Sequence, residues 1–488
     1  MQTRPSPNPS ILLFAFLSIA VLAIAAAAWP PYSAAVILGG ALGLVCLAAR
    51  PDLAFALFFA AESLFSEDIL LITEKLEVTI YRIPLPYIGL NIFEVILVVL
   101  VLFTLLHRKG KLTATRLDFS MALFGFACLL GYATCIVLYH EPTRIFEPRR
   151  LLHFFVAFFL TVNLLQTKES LRTFLTIYFA AIVLKAIEGV FLYTMGEGLQ
   201  IKWQIRAIFT GWEDSLNFVT YLLLLTVFIL DRQPLPGKRG FLLALPAVFF
   251  SFLFSYKRAY YVALLAGLAG VFWLQGPKAR GRFVRLCLLG LVLILGLVIA
   301  AGQWNAISMR VDSILHPTKE SSANYRLIEW TNAMISINKN PLLGIGLGGV
   351  MPMEVYLSRT NMLGVHNTFL WVTVKMGLLG IFSYFLLHFA FWRILTLHSQ
   401  FLRDPFLRTL SRGLTCVFLA FCAAQLFAPM FAQMRTATWF GIVLGIGTRL
   451  TDYDKDSSST RKEEIPIMAD QNETANHALS KSPNTILP

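Results

Sequence analysis

The chain has 488 residues, of which 57% are hydrophobic and only 14% charged, and its formal net charge is +13. Soluble proteins carry about 25% charged residues, and a soluble chain this apolar would expose large hydrophobic patches. The composition therefore excludes an ordinary soluble domain, and the position of the basic residues in short segments between apolar runs argues against nucleic-acid binding.

Apolar runs of roughly 17–25 residues recur from residue 11 to residue 450, long enough for helices that cross a ~30 Å hydrocarbon core. The predicted fold is all-α, a polytopic transmembrane helical bundle of about 12–14 spans. The candidate spans are 11–28, 33–49, 52–66, 86–106, 117–139, 148–166, 171–194, 214–231, 240–255, 258–275, 286–302, 367–392, 413–430 and 436–449. The short run 52–66 is either a span or an interfacial helix.

These spans divide the chain into five segments. They are a cytoplasmic N-terminus (1–10), an N-terminal transmembrane bundle (11–302), a large, partly helical periplasmic loop (303–365), C-terminal transmembrane helices (366–450) and a polar cytoplasmic tail (451–488) whose composition predicts disorder. The basic connections 107–116, 232–240, 276–285 and 393–412 fall on one side when the spans alternate. We place that side in the cytoplasm, because cytoplasmic loops carry an excess of Lys and Arg.

The six cysteines lie inside apolar runs and follow no metal-ligand spacing. They are expected to be small buried hydrophobic residues, and no metal site is predicted.

The predicted large loop contains an amphipathic helix in SSANYRLIEWTNAMISINKNP. Arg326, Trp330, Ala333 and Ile337 share one face of it, and Asn340-Pro341 ends it. The following GIGLGG (344–349) lacks the hydrophilic βαβ context of a dinucleotide site. Its glycines indicate close backbone packing or a turn that contacts an anion.

His366 and Asn367 stand where the loop re-enters the membrane. Asn367 is expected to cap the next helix, whereas His366 is not needed for capping and is either an interfacial histidine or a general base. The predicted periplasmic face also collects ten basic residues: Arg144, Arg149, Arg150, Lys202, Arg206, Lys257, Arg258, Arg310, Arg326 and Arg359. Snorkelling to lipid headgroups suffices for Lys257 or Arg149. The whole set favours a site for phosphate or pyrophosphate beside the histidine.

Four stretches, in this order, resemble the O-antigen ligase and polysaccharide polymerase family of bacterial inner membranes, with its Wzy-type C-terminal domain. They are RAIFTGWEDSLNFVTYLLLL (206–225), FSYKRAYYVALLAGL (254–268), YRLIEWTNA…NPLLGIGLGGV (325–350) and HNTFLWVTVKMGLLGIFSYF (366–385). The chain departs from the family at Lys375, where an acid is common, and at Tyr256-Lys257, where a small residue or Ser is commoner.

The resemblance implies a GT-C-like glycosyltransferase that is metal-independent, inverting and without a cofactor. It implies a glycan donor linked to undecaprenyl pyrophosphate, used on the periplasmic side of the inner membrane. A ligase joins the glycan to a lipid A-core hydroxyl in lipopolysaccharide biosynthesis, and a polymerase joins it to another lipid-linked repeat of O-antigen or exopolysaccharide. The motifs do not separate the two. Membrane lipids are the other expected partners, and nucleic acid is not one.

Within this resemblance His366 is expected to be the general base toward the acceptor hydroxyl. Arg258 and Arg326 are expected to stabilise the leaving pyrophosphate. The expected substrate-binding residues are Arg206, Lys257, Asn367, Trp330 and Asn217.

A transporter or flippase of a lipid-linked anionic sugar is the alternative from another class. It predicts polar residues in mid-span, of which Lys185 and Lys375 are the main ones, and pseudo-symmetry between halves.

Overall fold

The computed structural model describes residues 49–64, 92–107, 112–140, 146–196, 199–201, 205–207, 212–300, 302, 304, 308, 321–352, 354 and 365–455. The predicted N-terminus 1–10, the candidate span 11–28, nearly all of 33–49 and most of the tail lie outside these residues.

The described chain is helical apart from one two-stranded antiparallel hairpin, β1 (Leu199–Ile201) and β2 (Ile205–Ala207). The α-helices are α1 (Pro51–Leu64), α2 (Ile92–His107), α3 (Asp118–Tyr139), α4 (Phe146–Leu164), α5 (Lys168–Thr194), α6 (Trp212–Leu230), α7 (Lys238–Leu243), α8 (Leu245–Leu253), α9 (Arg258–Leu274), α10 (Pro277–Ala300), α11 (Ser321–Lys339), α12 (Thr368–Arg393), α13 (Pro405–Gln425) and α14 (434–455). A π-turn, Ile394–His398, continues α12, and a 3₁₀ turn, Met430–Ala432, precedes α14.

Six helices in the described part of the chain are long and apolar enough to cross a membrane: α3, α5, α6, α10, α12 with its π-turn, and α13. The shorter helices α2 and α9 are also apolar. The protein is therefore an all-α, multi-pass membrane protein, as predicted. The total of 12–14 spans stays a prediction, because its first members lie outside the described residues.

Several helix boundaries differ from the predicted spans. α13 begins at Pro405 rather than 413, because the Asp404 side chain accepts hydrogen bonds from the Phe406 and Leu407 amides and Pro405 suits the first turn. α10 begins at Pro277 rather than 286, since its basic first turns hid the helix from a hydropathy reading. The predicted span 240–255 is two short helices, α7 and α8, and α14 extends to residue 455, into the predicted tail.

Cys128, Cys135 and Cys416 are buried, as predicted. Cys287 is exposed on α10, because that helix has few buried residues. The general expectation of buried cysteines is wrong at this position.

Aromatic rings from distant parts of the chain meet in the centre of the bundle. Phe154 of α4 lies 5.5 Å from Phe440 of α14 and 5.7 Å from Phe431, and Tyr384 of α12 lies 5.5 Å from Phe431 and 5.3 Å from Phe124 of α3. All five rings are buried, and paired aromatic rings stabilise beyond the area that they bury. This cluster holds α12 in a fixed position.

α12 is interrupted at Gly377, which has φ 64° and ψ −158°. The carbonyls freed there are paired with a segment that we call the glycine turn, residues 341–349. Ile345 donates its N–H to the Val374 carbonyl at 2.8 Å, and Gly346 donates to the Lys375 carbonyl at 3.0 Å. Irregular backbone at membrane depth requires such pairing inside the protein. The glycine turn directly follows α11 and therefore fixes that helix relative to α12.

Helix ends gather at two opposite ends of the bundle. The His366 end comprises the end of α1 and the starts of α6, α9, α12 and α14, and the basic end comprises the ends of α6 and α9 and the starts of α10 and α13. At the basic end Lys168 forms an ion pair with Asp404, and the Asp404 N–H donates to the Asp454 carboxylate at 2.8 Å. These contacts tie α5, α13 and α14 together away from His366.

Candidate active site

His366 lies against a buried carboxylate. Its Nδ1 is 2.8 Å from Oε1 and 2.9 Å from Oε2 of Glu329, and its backbone N–H donates to Oε2 at 3.2 Å. The Glu329 side chain is fully buried, whereas the imidazole is 34% exposed. A carboxylate is an acceptor only, so the proton on the ring lies on Nδ1 in the neutral histidine. Nε2 is then the basic nitrogen.

Glu329 is positioned by the packed face of α11. Ala333 and Asn332 are fully buried on this face, one turn further along. Asn332 Nδ2 donates to the Ile328 carbonyl at 2.9 Å, and its Oδ1 accepts from the Glu354 N–H at 2.8 Å. α11 also packs against α12. The carboxylate therefore reaches His366 from a helix that is held against α12.

The start of α12 is fixed by two side chains. Asn367 Oδ1 accepts a hydrogen bond from the Leu370 N–H at 3.0 Å, which confirms the predicted cap. Thr368 Oγ1 donates to the Ala428 carbonyl at 2.7 Å and accepts from the Met430 N–H at 2.9 Å. The residues next to His366 are thus tied to the segment between α13 and α14.

The same segment connects His366 to the start of α9, where Arg258 is the first residue. Tyr260, two residues further on, is fully buried, and its hydroxyl contacts Met430 Sδ at 3.6 Å. Since Met430 also contacts Thr368, the helix starts that carry Arg258 and His366 converge at one end of the bundle.

The other predicted site residues lie on the same end. Arg326 is one turn before Glu329 on α11 and half-buried, and Lys257 is half-buried at the N-cap of α9. Trp330 packs against the core, and its buried indole N–H has no hydrogen-bond partner in the described chain. Arg206 lies in β2 opposite Gln200.

The comparison with known families bears on these residues. A family model for O-antigen ligases matches residues 241–385. The matched segment covers about 30% of the chain and includes three of the four stretches that carry the resemblance. No curated protein matches the chain. The match confirms the resemblance found in the motifs, and it supports a membrane glycosyltransferase of the ligase or polymerase type.

The segment that matches the family model contains Arg258, Arg326, Glu329 and His366. Asn217 lies outside it, and its side chain is buried in a structural network. Asn217 Oδ1 accepts from the Tyr178 hydroxyl at 2.8 Å, and that hydroxyl accepts from Trp439 Nε1 at 3.2 Å. This network joins α5, α6 and α14 below the His366 end.

Glu329 was not among the predicted site residues. Its partner is 37 residues away along the chain, so nothing in the local pattern joins them. The available signal was that Glu329 lies three residues after Arg326 on the amphipathic helix, one turn along nearly the same face. A single carboxylate on a buried helix face is unfavourable unless a hydrogen-bond donor or a cation pairs with it.

Burial, followed by the charge of Glu329, raises the pKa of Tyr325 above its usual range. The Tyr325 ring lies edge-on to the imidazole, with 6.5 Å between ring centroids. The phenol therefore stays protonated near neutral pH, beside the histidine.

A second buried ion pair lies at the start of α6. Arg435 donates to Asp214 at 3.1 Å and to the carbonyls of Glu62 and Ser63 at 2.8 and 3.2 Å. The last carbonyls of a helix have no N–H donor within that helix. Arg435 supplies the donors for two such carbonyls at the end of α1. No sequence motif points to Arg435, because it stands alone in an apolar segment.

Three predicted basic residues have partners inside the protein. Lys375 is 1% exposed, and its Nζ lies 2.9 Å from Glu147 Oε1 and 2.5 Å from the Gly349 carbonyl. Lys185 is 2% exposed and donates to the Leu64 carbonyl at 2.9 Å. Arg149 lies 2.8 Å from Glu94, so it does not need lipid headgroups to balance its charge.

Proposed function

We propose that the protein is an O-antigen ligase-like glycosyltransferase of the bacterial inner membrane, acting at its periplasmic face. It transfers a glycan from undecaprenyl pyrophosphate to a sugar hydroxyl of the lipid A-core. The observation that carries the proposal is the His366–Glu329 pair at 2.8 Å within the segment that matches the O-antigen ligase family model. The carboxylate is buried and the imidazole is accessible, as a general base and its orienting partner require.

In the first half of the step, Nε2 of His366 takes the proton of the acceptor hydroxyl. Glu329 keeps the neutral ring in the required tautomer and stabilises the imidazolium as it forms. The hydrogen bond from the His366 backbone N–H to the same carboxylate limits rotation of the pair. The acceptor oxygen thereby gains the electron density needed for attack.

In the second half, that oxygen forms a bond to the anomeric carbon as the bond to the pyrophosphate oxygen breaks. Undecaprenyl pyrophosphate leaves with the electron pair, and attack from the opposite side inverts the anomeric centre. Negative charge grows on the leaving oxygens, and fixed guanidinium groups stabilise this charge. Arg258 and Arg326 are assigned this role. Arg206 and Lys257 are assigned to the diphosphate further from the reacting bond.

The remaining predicted residues take supporting roles. Trp330, which is half-buried, presents part of its aromatic face to the glycan. Asn367 acts mainly as the helix cap that positions His366. Asn217 acts through the Tyr178 and Trp439 network rather than by direct contact.

Transport of a lipid-linked anionic sugar is less well supported. A transport path needs polar groups in mid-span that face a cavity. The two candidate lysines, Lys185 and Lys375, are instead 2% and 1% exposed and paired with protein groups.

Reconstitution tests the proposal. Purified protein in liposomes is given an undecaprenyl-pyrophosphate-linked glycan together with either lipid A-core or additional donor. The proposal predicts glycosylated lipid A-core and release of undecaprenyl pyrophosphate. Longer lipid-linked chains in place of glycosylated lipid A-core would identify a polymerase. Translocated donor with no new glycosidic bond would overturn the enzymatic proposal.

A further inference from the structure

The basic end of the bundle contains a cavity of about 240 Å³, which we call the basic pocket. Four of its lining residues are arginines and one is an aspartate, a formal charge of +3. The arginines are Arg232 after α6, Arg282 in α10, and Arg408 and Arg412 in α13. The pocket lies at the opposite end of α6 and α13 from the His366 end.

The single acid of the pocket is already engaged. Asp231 accepts hydrogen bonds from Thr409 at 2.9 Å, from Gln275 at 3.1 Å and from Arg412 at 3.1 Å. These contacts fix the floor of the pocket and neutralise one arginine. They leave the positive charge of the other three uncompensated by any acid of the lining.

Each of the three other arginines keeps at least one guanidinium nitrogen for an anion, which in Arg408 is Nη1. Arg408 is held by the Leu402 carbonyl, which accepts from Nε at 3.1 Å and from Nη2 at 2.6 Å. The side chains of Arg232 and Arg282 have no hydrogen-bond or ion-pair partner among the residues that the structure describes. Guanidinium groups suit phosphate oxygens through paired N–H donors.

Membrane topology alone does not account for this arrangement. Basic connections on one side of a membrane protein orient it, and scattered exposed arginines such as Arg239 and Arg285 serve that purpose. The pocket instead brings together arginines from three separate parts of the chain around one cavity. Convergence of this kind is expected of a binding site.

The neighbouring surface of α10 indicates what carries the anion. Leu289 and Val292 follow Arg282 on the same helix face, at i+7 and i+10, and are 66% and 67% exposed. A ligand that binds Arg282 and continues along this face has an anionic head and an apolar tail. Basic pockets between transmembrane helices bind anionic lipid headgroups.

We propose that the basic pocket binds the phosphate headgroup of an anionic phospholipid, with an acyl chain along the Leu289 and Val292 face of α10. The headgroup bridges Arg232, Arg282 and Arg408, and so joins the connections that follow α6, begin α10 and begin α13. The bound lipid is distinct from the glycan donor, whose diphosphate lies at the other end of the bundle.

Native mass spectrometry of the full-length protein in detergent tests the site. The probes are phosphatidylglycerol and phosphatidylcholine with the same acyl chains. The test variant is Arg232→Gln/Arg282→Gln. The control is Arg239→Gln/Arg285→Gln, which removes two positive charges from the same end but none from the pocket.

The wild type is expected to bind phosphatidylglycerol in preference to phosphatidylcholine. The test variant should lose about 25-fold in affinity for phosphatidylglycerol, at about fivefold for each arginine, while the control variant retains wild-type affinity. Equal losses in the two variants, or equal binding of the two lipids, would overturn the proposal. Full displacement of the lipid by inorganic phosphate would also overturn it and assign the pocket to a free anion.

Discussion

At the residue scale, the proposed role of His366 depends on its pairing with Glu329. A histidine at the membrane surface alone would be an ordinary interfacial residue. Paired through Nδ1 with a fully buried carboxylate, it has one defined tautomer and one basic nitrogen. In the proposed reaction the nearby arginines have a separate task, which is to hold the phosphate groups.

Glu329→Gln is the first prediction. Glutamine keeps the size of the side chain but removes the charge, so it neither fixes the tautomer nor stabilises the imidazolium. We expect transfer to fall about 10²–10⁴-fold at saturating substrate, with little change in the donor concentration needed for half-maximal rate. Steady-state kinetics of the reconstituted protein measure both quantities.

Glu354→Gln is its matched control. This glutamate is exposed and pairs with Lys339 at the end of α11, and its backbone contact with Asn332 survives the change. Its activity should equal that of the wild type. Equal activity of Glu329→Gln and Glu354→Gln would leave Glu329 without a catalytic role.

Single residues were predictable to different degrees. Short motifs in the sequence predicted roles for His366, Asn367 and Arg258, and the structure confirms the helix cap formed by Asn367. Glu329 and Arg435 were not, because their partners are 37 and 221 residues away. Local patterns contain no information about contacts of that separation.

At the scale of elements, the glycine turn is the part that places α11 against α12. Gly346 has φ 88°, and a Cβ added there would lie 2.5 Å from the Cys135 backbone nitrogen. Gly377 has φ 64°, and its Cβ would lie 2.2 Å from the Leu342 carbonyl oxygen. The glycines therefore serve close backbone packing, one of the two predicted readings, and no side chain fits at these two positions.

Gly346→Ala is accordingly expected to destabilise the protein by more than about 2 kcal/mol, from backbone strain and overpacking together. Activity should fall with it, since α11 carries Glu329. Thermal unfolding in detergent measures the first effect and the transfer assay the second. Gly240→Ala is the control, because nothing lies within 4 Å of its added Cβ. An unchanged melting temperature for Gly346→Ala would contradict the proposed packing.

The Lys375–Glu147 ion pair connects the glycine turn to α4. Glu147 Oε2 accepts from the Gly348 N–H at 2.6 Å, while Lys375 binds the Gly349 carbonyl. Lys375→Met leaves a buried carboxylate without its cation and should cost about 3–5 kcal/mol. Lys375→Met/Glu147→Gln removes both charges and should recover most of that stability. Melting temperatures of the three proteins provide the test, and a double variant as unstable as Lys375→Met would contradict a charge-pair role.

Long apolar helices were predictable because hydrophobic composition alone marks them. The starts and interruptions of these helices depend instead on specific hydrogen bonds. The Asp404-Pro405 cap begins α13 eight residues early, and the Gly377 interruption of α12 is stabilised by amides from the glycine turn. The first signal was present in the sequence, whereas the second required the tertiary contact.

At the scale of the whole molecule, the fold separates two groups of charged residues. The His366 end holds His366, its partner Glu329 and the arginines of the proposed active site, and the basic end holds the basic pocket. The sequence predicts this separation, because alternating spans place all four basic connections on one side of the membrane. The predicted topology does not show which helix ends contact each other within each face.

Cysteine labelling tests the orientation. In a background without native cysteines, Glu354→Cys and Arg239→Cys place single thiols at exposed positions of opposite ends. A membrane-impermeant maleimide should label residue 354 but not residue 239 in intact spheroplasts, and both after permeabilisation. The unsubstituted background reports any nonspecific label. The reverse pattern would place His366 in the cytoplasm and contradict a periplasmic reaction.

The central claim is that His366 moves a proton while Arg258 holds the diphosphate, and the most direct measurement separates these roles. Donor binding and single-turnover transfer are measured on the same preparations of His366→Ala and Arg258→Lys. We predict that His366→Ala binds the donor normally but transfers about 10²–10⁴-fold more slowly. Arg258→Lys keeps the charge but loses the paired donors, so its donor affinity should fall. Normal transfer by His366→Ala, or a loss explained entirely by weaker donor binding, would contradict the account.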